Sequence, residues 1–137
     1  MDESLLDPRL SSLAVLLRHA ENRIRDRLQP ALSEAGLTMD HWRILSVLHQ
    51  CPGLRMTAIA TAAVVPNATL TRHVDALVER SLVLRRIDPA DKRGVVAALS
   101  ARGEALVSRL LEEERAVAAE VLDLVGGADR RPRTVGT

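Results

Sequence analysis

Residues 67–99, NATLTRHVDALVERSLVLRRIDPADKRGVVAAL, change hydrophobic period partway along, and that change decides the fold. From Asn67 to about Arg80 the apolar Leu70, Val74 and Leu77 recur every three or four residues, the signature of an amphipathic helix. Leu82 to Ile87 then reads as a strand, Asp88 to Gly94 as a turn, and Val95 to Leu99 as the returning strand. Immediately upstream, Thr57 to Ala63 forms a helix of small residues, ended by the turn Val64-Val65-Pro66. Two short helices joined by a tight turn make a helix-turn-helix, in which the outward N-terminal residues of the second helix can enter a DNA major groove. A charged hairpin directly after such a unit is a wing.

Long helices flank this centre. Leu10, Leu13, Leu17, Ile24, Leu28 and Leu32 recur at helical spacing, filled in by Ala14, Ala20, Ala31 and Ala35. Pro30 should kink that helix or start a new turn, and Gly36 should end it. Thr38 is placed to cap the next helix, whose inner stripe is Trp42, Ile44, Leu45 and Leu48, and Pro52-Gly53 breaks it before a short extended piece at Leu54. After the wing, Ser100 is placed to cap a last long helix, with Leu106, Leu110, Val117, Val121 and Leu124 on one face and Glu112, Glu113 and Glu114 on the other. The expected fold is mainly α with a small β wing. One domain is expected over residues 1–127, with a winged helix-turn-helix at 53–99 between helices at 10–36 and 101–125. Residues 128–137, rich in arginine and without apolar period, read as a disordered tail.

Composition narrows the class. Of 137 residues, 47% are hydrophobic but only 1% aromatic, so the core must be built from Leu, Val, Ile and Ala, which suits packed helices better than a sandwich of aromatic cross-strand pairs. No apolar run is long enough to span a bilayer, and the acidic start Met1-Asp2-Glu3 is unlike a secretory signal, so a cytoplasmic protein is expected. A single cysteine, Cys51, cannot form an internal disulfide. The net charge of +1 conceals a division: residues 53–103 carry eight basic and four acidic side chains, whereas 104–125 carry two and six. Positive charge therefore gathers at the winged unit, where phosphates would be met.

Read in order, these pieces resemble the MarR family of bacterial regulators over about Leu10 to Leu124. The resemblance is carried by Leu37-Thr38, Trp42 with Leu45, Pro52-Gly53-Leu54 and the run Thr69 to Leu77. It continues through Leu82-Val83, Arg85-Arg86, Asp88-Pro89-Ala90-Asp91-Lys92-Arg93, Leu99-Ser100 and Gly103, of which the wing is the most specific piece. The resemblance implies a two-fold homodimer whose terminal helices interlock, two winged units on adjacent DNA grooves, and commonly repression relieved by a small phenolic or other ligand or by cysteine oxidation. Three positions depart from the pattern. Val64 and Ser81 stand where the family often has glycine, and Pro66 where a capping serine is common. The resemblance also implies one more amphipathic helix after the acidic one, which this sequence does not carry, so dimerisation is expected to rest on the first and last helices.

Asn67, Ala68, Thr69, Thr71 and Arg72 occupy the first turns of the recognition helix. Arg72 can give guanine two hydrogen bonds, or it can rest on phosphate or in solvent. Thr69 and Thr71 suit phosphate or a thymine methyl, and Asn67 can serve as the helix cap. In the wing, Arg93 can enter a narrow minor groove while Asp91 holds it across the turn, or the two can form a purely structural pair. Lys92 and Arg86 suit phosphates, and since Arg85 and Arg86 must point to opposite faces only one of those two need do so. Trp42 reads as core, or, on the family resemblance, as the wall of an effector pocket with His19 and Arg23.

His19, His41, His49 and His73 lack a tight metal-binding spacing, and Cys51, at a helix end before proline, is not where the family's peroxide sensors place theirs. No phosphate loop, metal cluster or nucleophile elbow is present, so neither catalysis nor a cofactor is expected. The partners expected are duplex DNA, a second copy of the chain and a small-molecule effector, with no membrane. A winged-helix module that binds only protein is the alternative, against which stands the clustering of Arg72, Lys92 and Arg93.

Overall fold

The computed structural model describes residues 7–127 and contains five helices and three strands among them. In chain order these are α1 (Leu13–Glu34), α2 (Met39–Gln50), β1 (Leu54–Arg55), α3 (Met56–Ala63), α4 (Asn67–Glu79), β2 (Val83–Ile87), β3 (Val95–Leu99) and α5 (Ala101–Gly126). The predicted tail, 128–137, lies outside the described residues. No helix among them is long and apolar enough to cross a membrane. Two compact units emerge: one joins the chain up to Pro30 with the chain from Glu112 onward, and the other comprises Ala31–Leu111.

In the first unit, α1 and the end of α5 pack together through Leu16, Ala20 and Leu124, with Val121 and Val125 partly covered beside them. Arg27 donates to Glu113 at 2.7 Å, and Arg23 pairs with Glu120. The helix starts at Leu13 rather than Leu10, because Asp7 first turns the chain by accepting the amides of Leu10 and Ser11 on its carbonyl. The buried residue in the first turns is accordingly Leu16, while Leu10, Leu13 and Leu17 face outward together with Val15 and Leu122.

The second unit begins at Ala31, in the last turn of α1. The amide of Gly36 (φ +70) bonds back to the Ser33 carbonyl and that of Leu37 to Leu32, the paired bonds of a glycine C-cap. Pro30 does not end α1, which runs through it to Glu34. Thr38 then caps α2, its hydroxyl accepting the His41 amide, while the His41 ring accepts the Thr38 amide in return. Trp42, Ile44, Leu45 and Leu48 of α2, Ile59 of α3, Leu70, Val74 and Leu77 of α4, and Val83 and Ala97 of the sheet form the core. Each aliphatic side chain so buried contributes about 1.5–3 kcal/mol.

Where the sequence suggested a two-stranded hairpin, the sheet has three antiparallel strands in the order β1-β3-β2. The extended piece at Leu54 is its third strand, pairing Leu54 with Ala97 and Arg55 with Val96. Leu82 is buried but precedes β2, because its amide closes the end of α4 on the Leu77 carbonyl. Ser100 caps α5 as expected, accepting the Gly103 amide at 3.0 Å and donating to the Ser81 carbonyl at 2.6 Å. Gly103 is required there, since a Cβ would stand 2.1 Å from the Leu82 carbonyl oxygen. Both positions noted as departures from glycine, Val64 (φ 56) and Ser81 (φ 60), adopt the left-handed conformation that glycine favours.

Candidate nucleic-acid interface

α4 begins without a side-chain cap. Pro66 stands at the N-cap position and Asn67 is the first helical residue, which corrects the expectation that Asn67 caps the helix. Proline suits the start of a helix because its ring presets φ and the amide it lacks would have had no partner. The first amides of α4 consequently point outward, at the end where the helix dipole is positive. Thr69 folds back, its hydroxyl and amide both donating to the Pro66 carbonyl at 3.1 Å, so it stiffens this turn. Asn67, Ala68, Thr71 and Arg72 are exposed, and Thr69 is half-buried.

Two aspartates build the wing. Asp88 accepts the Ala90 amide on its side chain at 2.9 Å, and Asp91 accepts the Arg93 amide at 3.1 Å, so each folds the chain back on itself two residues later. The turn is closed by the amides of Asp88 to Gly94 and of Gly94 to Asp91. The Arg93 side chain is 93% exposed and reaches only 3.5 Å from Asp91, so Asp91 fixes Arg93 through the backbone more than through the guanidinium. That backbone amide is the main reason the Asp91 carboxyl lies below the ordinary carboxylate range, with Arg55 second.

Arg55 was not singled out in the sequence, and it ties the sheet to the wing. It pairs with Asp88 at 3.5 Å and Asp91 at 3.1 Å, and its guanidinium lies over Gly94, where an added Cβ would sit 2.0 Å from Nη2. No sequence signal pointed to it, because its partners lie in the wing turn, far along the chain from Arg55. On the next strand, Arg85 is held by Asp75 of α4, whereas Arg86, together with Arg72 and Lys92, has no acidic partner among the described residues.

These elements surround an open cleft of about 440 Å³ lined by Arg55, Thr57, Thr71, Arg85 and Arg93 among others. The recognition helix and the wing thus face one cleft carrying guanidinium and hydroxyl donors, the groups that grip phosphate. Of the effector residues suggested by the resemblance, His19 and Arg23 belong to α1 in the first unit, and Trp42, 3% exposed, belongs to the core of the second. Cys51 is exposed just past α2. No group of three or more His, Cys, Asp or Glu that could hold a metal ion occurs among the described residues.

A tight helix pair followed by a charged hairpin defines the winged helix-turn-helix class. Comparison with known proteins places the chain within it. The model of the MarR family matches residues 37–95. The HTH-type transcriptional repressor Rv2887 of Mycobacterium tuberculosis is 33% identical over 110 residues, which cover 80% of this chain and 79% of the repressor. Among solved structures, a MarR-family transcriptional regulator from Silicibacter pomeroyi superposes with a TM-score of 0.69 at 28% identity, covering 78% of this chain and 72% of its own. NadR in complex with 4-hydroxyphenylacetate gives 0.72 at 26% identity, covering 88% and 85%. The chain belongs to the MarR family and is a DNA-binding transcriptional regulator, not an enzyme.

Proposed function

We propose that the chain is a repressor that binds an inverted-repeat operator as a homodimer, with Asn67, Ala68, Thr69, Thr71 and Arg72 in the major groove and the wing beside it. The observation that carries this reading is the shared cleft, where Thr71 of α4 and Arg93 of the wing converge. Arg72 reads a base, and the outward amides of Asn67 and Ala68 meet phosphate. Arg93 enters the minor groove, while Lys92 and Arg86, without an acidic partner among the described residues, neutralise phosphates. Asp91 shapes the wing rather than touching DNA. Repression is supported by the relative named above as a repressor.

A second copy covers outward apolar side chains of the first unit, among them Leu10, Leu13, Leu17 and Leu122, each at least half exposed in the single chain. Control by a small aromatic acid is supported by the NadR complex. The test is selection from a random duplex pool with sedimentation of the free protein. A dimer that enriches a palindrome with half-site centres about 10 bp apart bears the reading out. A monomer that enriches no sequence overturns it.

A further inference from the structure

His41 and His73 lie on two different helices of the second unit, and together they join the start of α2 to the recognition helix. His41 is 8% exposed, and the two rings meet edge to face with centroids 4.9 Å apart. Nδ1 of His41 accepts the Thr38 amide at 2.9 Å, so that nitrogen carries no proton. The ring proton is therefore on Nε2, which lies 3.3 Å from His73 Nδ1 and donates to it. His73 in turn carries its proton on Nε2, which faces the Asp40 carboxylate at 3.6 Å. The result is a directed chain, Thr38 amide to His41 to His73, that both caps α2 and tethers the middle of α4.

This chain has no place for another proton. Protonating His41 on Nδ1 sets two N–H groups against each other at 2.9 Å and breaks the cap. Protonating His73 on Nδ1 sets its new proton against that of His41, which can yield only by moving its own proton to Nδ1, with the same loss of the cap. The other charges acting on His41 are Asp40, itself held by Arg43 at 2.9 Å, and Arg80 at the end of α4, while β2, packed on α4, carries Arg85, held by Asp75, and Arg86. The helix α3 and strand β3, which also pack on α2, carry no titratable side chain.

We propose that the His41–His73 pair is an acid-sensitive tether that sets the recognition helix for DNA and releases it when a single proton enters the pair. His73 and His41 are positioning residues in this role, acting through α4 rather than on DNA. Burial first, then His73 and Arg80, hold the His41 ring below its ordinary value of 6.5. The tether is thus fully present above that value and is lost as the pH falls through the ring's folded-state value.

The inference rests on DNA binding by α4, so its test has a DNA-free arm. Glutamine at position 41 preserves the Thr-x-x-Gln capping box and can still donate to His73, yet does not titrate. Wild type and His41→Gln are compared from pH 7.5 to 5.5 by thermal midpoint, by ring resonances of the histidines, and by affinity for a selected duplex. Added positive charge ordinarily strengthens DNA binding, so the expected sign is diagnostic. Wild-type affinity falls several-fold as the pH is lowered, and the thermal midpoint falls with it. His41→Gln, whose cap no longer titrates, shows a smaller fall in both. Should His41→Gln not fold, His73→Gln replaces it in the same comparison. Parallel pH profiles for wild type and variant, or a His41 ring that titrates at or above 6.5, overturn the proposal. Failure to bind any duplex at pH 7.5 refutes the DNA reading instead, while the midpoint and resonances still decide the tether.

Discussion

Arg55 Nη2 donates to Asp91 Oδ2 at 3.1 Å, and the other oxygen of that carboxylate accepts the Arg93 amide. One aspartate therefore links the first strand to Arg93 of the wing, whose side chain is almost fully exposed. The pair is exposed, so it adds little to global stability. Its effect is on the wing. Arg55→Met is expected to leave the thermal midpoint almost unchanged, speed amide exchange from Asp91 to Gly94, and weaken DNA binding several-fold. Gly94→Ala should do the same, because its new Cβ takes the place of the guanidinium. Unchanged exchange in the wing of both variants would rule this clamp out.

Val64 is 83% exposed and lies at φ 56, a conformation that costs a β-branched residue roughly 1–2 kcal/mol. Val64→Gly is therefore expected to stabilise the protein by about 1 kcal/mol, read as a higher denaturant midpoint at constant slope. A lower midpoint would mean that the exposed side chain has a packing role.

Ser100→Ala removes the α5 cap at Gly103 and the bond to the Ser81 carbonyl at one stroke. Loss of a cap costs about 0.5–2 kcal/mol. Thermal unfolding should show a lower midpoint, and restoration by Ser100→Asp would be partial, since aspartate can accept the Gly103 amide but cannot donate to Ser81.

Leu17 is 50% exposed and belongs to the apolar surface assigned to the second copy. Leu17→Glu should turn the dimer into a folded monomer by sedimentation, with helical content retained. A variant that remains dimeric would place the interface elsewhere.

Much of this architecture is legible in the sequence because its punctuation is local. Thr38, Gly36 and Ser100 act within four residues of their own position, and Asp88 and Asp91 within two, so a linear reading finds them. The face of α1 was less legible: Leu13, Leu16 and Leu17 all fit a helical stripe, and only packing against Leu124, far along the chain, selects Leu16. Arg55 and the His41–His73 pair were hidden for the same reason, being contacts between distant segments. His41 was further disguised because it fills the capping-box position usually held by Glu or Gln.

The most direct test of the account is the affinity of wild type, Arg72→Ala and Arg93→Ala for a selected operator and for a scrambled duplex at one fixed salt concentration. Arg93→Ala should weaken both duplexes alike. Arg72→Ala should lose about 1–3 kcal/mol on the operator and much less on the scrambled duplex, so that the ratio between them collapses. Equal losses on both duplexes in both variants would contradict base reading by α4, and no loss in either would remove the helix and wing from the DNA interface.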